Sequence, residues 1–169
     1  MNFSHDKSQS YSLISIDHNS KFSLDDIESV LQPLFGSYYG TEQLRTIISS
    51  ADHIWCANDR EKNKCVGCAL VQSNHTDRVL YMNLFGVTKS RQGQGIGTRL
   101  LNTIKKWGRK QNYLAIILHT QVDNYKAIGL YEKAGFRKQY YAKDFFPPRR
   151  FVSFFQYHEP DAYQMILYL

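Results

Sequence analysis

The chain passes from a strand through a glycine-rich loop into a helix over residues 79–101, VLYMNLFGVTKSRQGQGIGTRLL. The first nine of these residues are mostly apolar, as in a buried strand. The loop carries glycine at every second position from Gly93 to Gly97. Glycine lets a backbone approach a ligand closely, and the N–H groups of such a loop converge beside the positive end of the next helix dipole. The segment therefore predicts a pyrophosphate-binding turn.

This loop differs in spacing from two common phosphate-binding motifs. It lacks the Gly-Lys-Ser/Thr of the P-loop. It also lacks the acidic residue that follows a dinucleotide-binding loop by about 20 residues. A tight glycine turn without a ligand is the alternative that the segment alone leaves open.

The spacing of apolar residues assigns the elements on both sides of this loop. We predict strands over residues 11–17, 53–57, 65–72, 79–88, 113–120, from 136 onward and 162–169. We predict helices over residues 24–34, from 41 onward, 95–109 and 127–134. The order βααβββαβαββ indicates an α+β (mixed α/β) fold around one central sheet, in which the three strands before the loop form an antiparallel meander.

Composition and charge narrow the class of protein. Hydrophobic residues make up 43% and charged residues 21% of the 169 residues, which is typical of a globular protein. No apolar run approaches the roughly 20 residues of a membrane helix. We expect a flexible tail over residues 1–10, a single domain over 11–169, and a cytoplasmic location with the nucleus as alternative. The net charge of +6 suits a phosphate-bearing ligand or nucleic acid without deciding between them.

The chain contains three cysteines, which lie in two predicted strands. Together with His53, Cys56, Cys65 and Cys68 have a spacing that could supply four zinc ligands. Residues three apart on a strand point to opposite faces, so one such pair should not converge on a metal. We therefore expect reduced thiols and no metal site.

Two short motifs resemble those of one enzyme family. Gln92-x-x-Gly95-x-Gly97 resembles the Q/R-x-x-G-x-G/A loop of the GNAT superfamily of acyl-CoA-dependent N-acetyltransferases. Residues 124–136, NYKAIGLYEKAGF, look like that family's N-x-x-A-x-x-[FL]-Y-x-x-x-G-F segment. The order and separation of the motifs argue against coincidence. The resemblance covers residues 65–140 well and implies a central, mostly antiparallel sheet flanked by helices, with acetyl-CoA as co-substrate and no metal.

A narrower resemblance concerns the acceptor. The positions of Tyr81 and Gly86 before the loop, and residues 118–121 with Asn124 after it, look like the protein N-terminal acetyltransferases, especially the San/NatE type. In that type a Tyr and a His act together on the substrate amine, which implies this role for Tyr81 and His119. The resemblance implies general-base-assisted transfer to the N-terminal α-amine of a protein or peptide, with an auxiliary subunit as a further possible partner and no membrane or nucleic acid.

The resemblance also implies roles for further residues. Backbone N–H groups near Val87 would meet the developing oxyanion, Tyr131 would protonate the CoA sulfur, and Asn124 would bind the pantetheine or only cap its helix. Core packing is the alternative for both Tyr131 and His119. The residues expected to bind acetyl-CoA are Phe85, Val87, Gln92, Gly93, Gln94, Gly95, Ile96, Gly97, Thr98, Asn124 and Tyr131. Those expected to bind the acceptor are Pro33, Leu34, Tyr81, Asn83, Phe154 and Phe155.

Two segments depart from the family pattern, and both concern the acceptor. The segment between Phe136 and Phe154 is longer than expected and carries FFPPRR at residues 145–150, and the substrate loop at residues 32–36 matches loosely. A lysine or a small, polyamine-like amine therefore stays open as the acceptor. A non-catalytic module that binds RNA or an acidic partner through Arg149, Arg150 and nearby aromatic residues is the alternative from a different class.

Overall fold

The computed structural model describes residues 14–19, 22–147 and 160–169. Its strands are β1 Ile14–His18, β2 His53–Asp59, β3 Lys64–Asn74, β4 Val79–Val87, β5 Ala115–Gln121, β6 Arg137–Ala142 and β7 Ala162–Tyr168. Its helices are α1 Leu24–Phe35, α2 Thr41–Ser50, α3 Ile96–Lys110 and α4 Tyr125–Lys133, with a short 3₁₀ helix at Lys89–Arg91. The tail predicted over residues 1–10 lies outside the described residues.

The described strands form one seven-stranded sheet in the order β1-β2-β3-β4-β5-β7-β6. Neighbouring strands in it are antiparallel except β4 and β5, which are parallel. A parallel pair requires a crossover connection, and here the glycine loop and α3 supply it. The predicted α+β fold with a mostly antiparallel sheet and flanking helices is confirmed.

Helices cover both faces of the sheet. Leu100 and Ile104 of α3 are fully buried in the core on one face, and Leu31 of α1 and Leu44 of α2 are fully buried on the other. Truncating such a side chain to alanine typically costs about 2–5 kcal/mol of stability. No helix in the described part of the chain is long and apolar enough to cross a lipid bilayer.

The first helix extends farther than the sequence predicted. Ser23 begins it with a capping box, because its side chain accepts from the Asp26 N–H while the Asp26 carboxylate accepts from the Ser23 N–H. Pro33, predicted to end this helix and to belong to the substrate loop at residues 32–36, lies inside the last turn, which the Gly36 N–H closes by donating to the Gln32 carbonyl, 2.9 Å away. A proline inside a helix removes one backbone hydrogen bond and crowds the carbonyl four residues earlier, and the helix ends two residues after this one.

The three thiols share one face of the sheet, contrary to the prediction that residues three apart point to opposite faces. The register between β2 and β3 shifts after Ala57, which leaves Val66 as an extra residue on β3. Such a bulge reverses the alternation of side chains. Cys65 and Cys68 therefore both lie, with Cys56, in the core against α1 and α2.

These cysteines are free and buried. A hydrogen bond with Cys56 and burial raise the pKa of Cys65, and burial raises the pKa of Cys68 well above its usual value. Both groups are thus protonated thiols at neutral pH, whereas a metal binds the thiolate. Among the described residues, no group of three or more His, Cys, Asp or Glu side chains could hold a metal ion.

Histidine and tryptophan rings pack together at the end of the sheet away from the glycine loop. His18 stacks on Trp55 with ring centroids 4.2 Å apart, and the ring centroids of His53 and Trp107 are 4.5 Å apart. The His18 Nε2 is 3.3 Å from the His53 Nδ1, and the His53 Nε2 is 2.9 Å from the Ser73 hydroxyl. Burial lowers the pKa of both histidines; the neighbouring His53 lowers that of His18 further, and Asp52 partly opposes the shift of His53.

This ring cluster should make stability depend on pH. The unfolded histidines protonate below about pH 6.5, whereas the folded rings resist protonation. The histidines contribute fully to the free energy of unfolding when the pH is above their pKa in the unfolded chain. We expect this contribution to be lost as the pH falls toward their lower pKa in the folded protein. Urea unfolding at about pH 7.5 and about 5.5 measures the decrease. His53→Gln, which keeps a polar group beside Ser73, should make the decrease smaller; an unchanged decrease would place its origin elsewhere.

Candidate active site

β4 and β5 pair only along their first residues. The paired positions run from Val79 with Ala115 to Met82 with Leu118, after which residues 83–87 and 119–121 have no partner across this boundary. On its other edge, β4 shifts register against β3 so that Asn83 is an extra residue. A bulge bends its strand. The two strands therefore diverge into a cleft that begins in the middle of the sheet.

The bulge also decides which β4 side chains face the cleft's acceptor end. In a regular strand, Tyr81 and Phe85 would share a face. Because Asn83 is an extra residue, Tyr81 and Leu84 instead line one pocket, whereas Phe85 packs with Met82 in the core beneath α3. No feature of the sequence predicted this bulge.

Tyr81 and His119 form a hydrogen-bonded pair across the cleft. The Tyr81 hydroxyl is 2.8 Å from the His119 Nδ1. Burial raises the pKa of Tyr81 to about 12 and lowers the pKa of His119. At neutral pH the pair therefore holds a protonated phenol beside a neutral imidazole. The His119 Nε2 is buried and has no hydrogen-bond partner among the described residues, so Nδ1 is the nitrogen that works with the phenol.

A pocket of about 170 Å³ surrounds this pair. It is lined by Tyr39, Ile47, Tyr81, Asn83, Leu84, His119, Phe145 and Phe146. Phe145, from the segment that departs from the family pattern, stacks on His119 with ring centroids 3.9 Å apart and an interplanar angle of 6°. The Phe146 N–H donates to the Pro160 carbonyl at 2.8 Å, which ties this segment to the start of the last described stretch.

The predicted acceptor residues are only partly brought together. Tyr81 and Asn83 line the pocket, but Pro33 and Leu34 do not. Leu34 instead covers Gly86, where an added Cβ would lie 2.6 Å from the Leu34 Cδ1. Phe154 and Phe155, like Arg149 and Arg150, lie outside the described residues. The sequence analysis missed five lining residues: Tyr39, Ile47, Leu84, Phe145 and Phe146. The extra aromatic pair at 145–146 was the one available signal.

The glycine loop has the backbone geometry of an anion site. Gly93 and Gly95 have φ angles of 75° and 77°, a region that L-residues avoid. Gly95 caps α3, and the first N–H to bond back to it is that of Arg99, at 3.0 Å. The N–H groups of the preceding turn therefore point out of the helix at its positive end. A Cβ added at Gly93 would meet nothing within 4 Å, so the space before the loop is open to a ligand.

The remaining predicted acetyl-CoA residues differ in what they can offer. The Ile96 side chain is buried in the core, so it contributes only its N–H. Gly97 permits close packing instead, because an added Cβ would be 3.2 Å from the Leu130 Cδ2. Thr98 is exposed in the first turn of α3. The remaining two side chains face their own loop: Gln92 Nε2 donates to the Val87 carbonyl at 3.0 Å, and Gln94 Nε2 to the Ser90 carbonyl at 3.3 Å.

Asn124 and Tyr131 lie on α4, beside the start of α3. The Asn124 Oδ1 accepts from the Ala127 N–H at 3.2 Å, so the helix-capping role is observed and a pantetheine contact stays a prediction. Tyr131 is buried, and its ring packs edge-on against that of Phe85, with the ring centroids 6.0 Å apart. Burial raises the pKa of Tyr131 well above its usual value, so its phenol is protonated.

The family match agrees with this geometry. Residues 24–136 match the Acetyltransferase (GNAT) family. The chain belongs to this family. The predicted family and fold are thus confirmed, and the paired motifs around Gly95 and Asn124 are the sequence features of a GNAT domain.

Relatives of this GNAT domain include N-acetyltransferase 8B of Homo sapiens, 34% identical over 86 residues that make up 50% of this chain and 38% of that protein. The probable N-acetyltransferase san of Drosophila melanogaster is 32% identical over 82 residues, 45% of each protein. The matched segment thus spans less than half the length of either relative. Naa50 of Arabidopsis thaliana, in complex with the bisubstrate analogue CoA-Ac-MVNAL, shares the fold with a TM-score of 0.69 at 23% identity, covering 92% of this chain and 98% of that one.

Replacing Gly95 tests the loop assignment. Gly95→Ala puts a Cβ on a backbone with φ of 77°, which costs about 1 kcal/mol and displaces the N–H groups of the loop. We expect CoA affinity, measured by calorimetry, to fall about tenfold. Gly129→Ala is the matched control, because an added Cβ there meets nothing within 4 Å and alanine favours the helix. Equal CoA affinity in both variants would refute the assignment.

Proposed function

We propose that the protein transfers the acetyl group of acetyl-CoA to the N-terminal α-amine of a protein or peptide. The observation that carries this proposal is the Tyr81–His119 hydrogen bond, which lies in a mostly apolar pocket where β4 and β5 diverge. The N–H groups of the glycine loop and the open space before Gly93 suit the pyrophosphate of CoA. Acetyl-CoA would supply the activated acetyl thioester.

The Tyr81–His119 pair suits the removal of a proton from an α-amine. With an unperturbed pKa of about 8, such an amine is partly neutral at pH 7. As the amine attacks, the Tyr81 oxygen takes up its proton and the phenol passes its own proton to the His119 Nδ1. The lowered pKa of His119 keeps the imidazole neutral at neutral pH, and the tautomer with its hydrogen on Nε2 leaves Nδ1 as the acceptor. The raised pKa of Tyr81 prevents the phenol from ionising before the amine arrives.

Tyr131 lies on the donor side of this arrangement. Its phenol is protonated, and its raised pKa opposes full transfer of that proton. A thiolate with a pKa near that of cysteine, about 8.5, is the weaker base. Tyr131 would therefore donate a hydrogen bond to the departing sulfur, and its predicted role as the acid that protonates this sulfur stays a prediction.

The pocket lining favours an α-amine over the alternative acceptors. Among the described residues, the eight that line the pocket include no acidic side chain, so this part of the chain offers no partner for the second positive charge of a polyamine. A lysine amine, with a pKa near 10.4, is also harder to deprotonate. The similarity to san and to a fold neighbour that binds a CoA–peptide analogue supports the same choice. An auxiliary subunit and a cytoplasmic location stay predictions.

Substitutions at the pair should separate chemistry from CoA binding. We expect Tyr81→Phe and His119→Ala to lower kcat by about a hundredfold, since general-base catalysis contributes that much or more, with CoA affinity unchanged. A second Tyr–His pair supplies the control: the Tyr113 hydroxyl is 3.1 Å from the His75 Nδ1, at the far end of α3. Tyr113→Phe and His75→Ala should keep normal kcat. Normal turnover in both cleft variants would reject the pair.

The acceptor class can be decided by direct competition. Labelled acetyl-CoA is offered to peptides with a free N-terminus, N-terminally blocked peptides with one lysine, and polyamines, and products are identified by mass spectrometry. We expect acetylation of the free N-terminus alone. Acetylation of only lysine or polyamine would overturn the acceptor assignment and keep the donor site. RNA binding that is insensitive to Gly95→Ala, without any transfer, would favour the binding module.

A further inference from the structure

Asp59, at the end of β2, is a buried acid that no role in the reaction explains. Its carboxylate is 1% exposed. The Oδ1 atom accepts from the N–H groups of Glu61 and Lys62 in the turn to β3, at 3.2 and 3.3 Å. The Oδ2 atom forms an ion pair with the Arg91 Nη2. A buried charge requires such partners, so the position of Arg91 is strongly coupled to that of Asp59.

Arg91 directly precedes the glycine loop. It ends the 3₁₀ helix after β4, and Gln92 is the next residue. Its Nη2 pairs with Asp59, while its Nη1 lies 3.5 Å from the Oε1 of Gln94 in the loop. Arg91 therefore connects the end of β2 with the first residues of the loop.

A second arginine makes the same connection from the other end of the loop. Arg99, in the first turns of α3, donates from its Nη2 to the Ile14 carbonyl at 2.6 Å. Ile14 and Asp59 are directly opposite each other in the β1–β2 pair. The arginines on both sides of the loop thus attach to the same cross-strand pair. We call Arg91, Arg99, Ile14 and Asp59 the arginine clamp.

We propose that Asp59 is a positioning residue for CoA: through Arg91, the arginine clamp holds the glycine loop in its binding conformation. The proposal rests on the proposed use of acetyl-CoA at this loop. Neither Asp59 nor the β1–β2 pair touches the reacting atoms. Their effect reaches the ligand through the placement of the N–H groups of residues 93–97.

Electrostatics alone makes the opposite prediction. Asp59 neutralises an arginine beside a site for a polyanion. If Asp59 acted only through its charge, Asp59→Asn would add one net positive charge near the phosphates and tighten CoA binding. If Asp59 fixes the loop, the same variant releases Arg91 and weakens binding. The sign of the change in Kd therefore separates positioning from charge.

The experiment measures the Kd of CoA by calorimetry without any acceptor, together with KM for acetyl-CoA and kcat. For Asp59→Asn we expect Kd and KM to rise about tenfold, with kcat at saturating acetyl-CoA within about twofold of the wild type. Arg45→Gln is the matched control, because Arg45 forms a partly exposed ion pair with Asp25 and Glu28 between α1 and α2. It should leave all three constants unchanged.

A second variant keeps the test decisive if Asp59→Asn does not fold. Arg91 is 29% exposed, so Arg91→Lys keeps the charge and should fold, but it shortens the connection to Asp59. We expect weaker CoA binding there too, with no additional loss in the double variant, because the two residues act as one unit. CoA binding at wild-type strength or tighter in the folded variants would overturn the proposal.

The outcome is separate from that of the proposed function. CoA affinity is measured without an acceptor, so a failure to acetylate α-amines leaves the result on Asp59 intact. Failure of the wild-type protein to bind CoA would overturn both the donor site and the role of Asp59. Recovery of affinity in Asp59→Glu, which restores the carboxylate, would support the ion pair as the cause.

Discussion

β4 and β5 separate after Met82 and Leu118, in the middle of a sheet that is otherwise continuous among the described strands. Unpaired backbone groups inside a folded protein are costly unless water or a ligand satisfies them. A cleft at this place is therefore a site in which backbone N–H and C=O groups are available to an extended ligand. The bulge at Asn83 lies where this opening begins, and it puts Leu84 on the same pocket as Tyr81. The residues that line the opening thus depend on one extra residue in one strand.

Burial then determines the protonation states of the pair. The same desolvation that raises the pKa of Tyr81 lowers that of His119, because each group resists its charged form. The result is a phenol with its proton and an imidazole without charge, so the pair holds no buried ion in the resting state. Phe145, stacked on His119, maintains this burial from a segment that the family pattern does not contain. In the proposed mechanism, this one aromatic contact would join acceptor recognition to proton transfer.

Local patterns predicted most elements of this fold. The period of apolar residues located the strands, Ser23 located the start of α1, and the glycines predicted a tight turn, in which Gly93 and Gly95 have positive φ angles. The bulges at Val66 and Asn83 could not be predicted, because an extra residue has no sequence signature of its own. The error on the faces of Cys65 and Cys68 followed directly from the first of them. The stacking of Phe145 on His119 and the ion pair of Asp59 with Arg91 join residues far apart in the chain, so neither followed from spacing.

Among the described residues, two Tyr–His pairs are hydrogen-bonded, and only their surroundings distinguish them. Tyr113 and His75 are joined much as Tyr81 and His119 are, at 3.1 and 2.8 Å. His75 is exposed near the last turn of α3, where the helix dipole is negative and disfavours an anionic ligand. His119 lies where β4 and β5 separate. β4 leads into the glycine loop and the N-terminus of α3, where the helix dipole is positive. The hydrogen bond alone therefore assigns no chemistry. Tyr81 and His119 are the candidate acid–base pair because they lie where the sheet divides, in the pocket proposed for the acceptor.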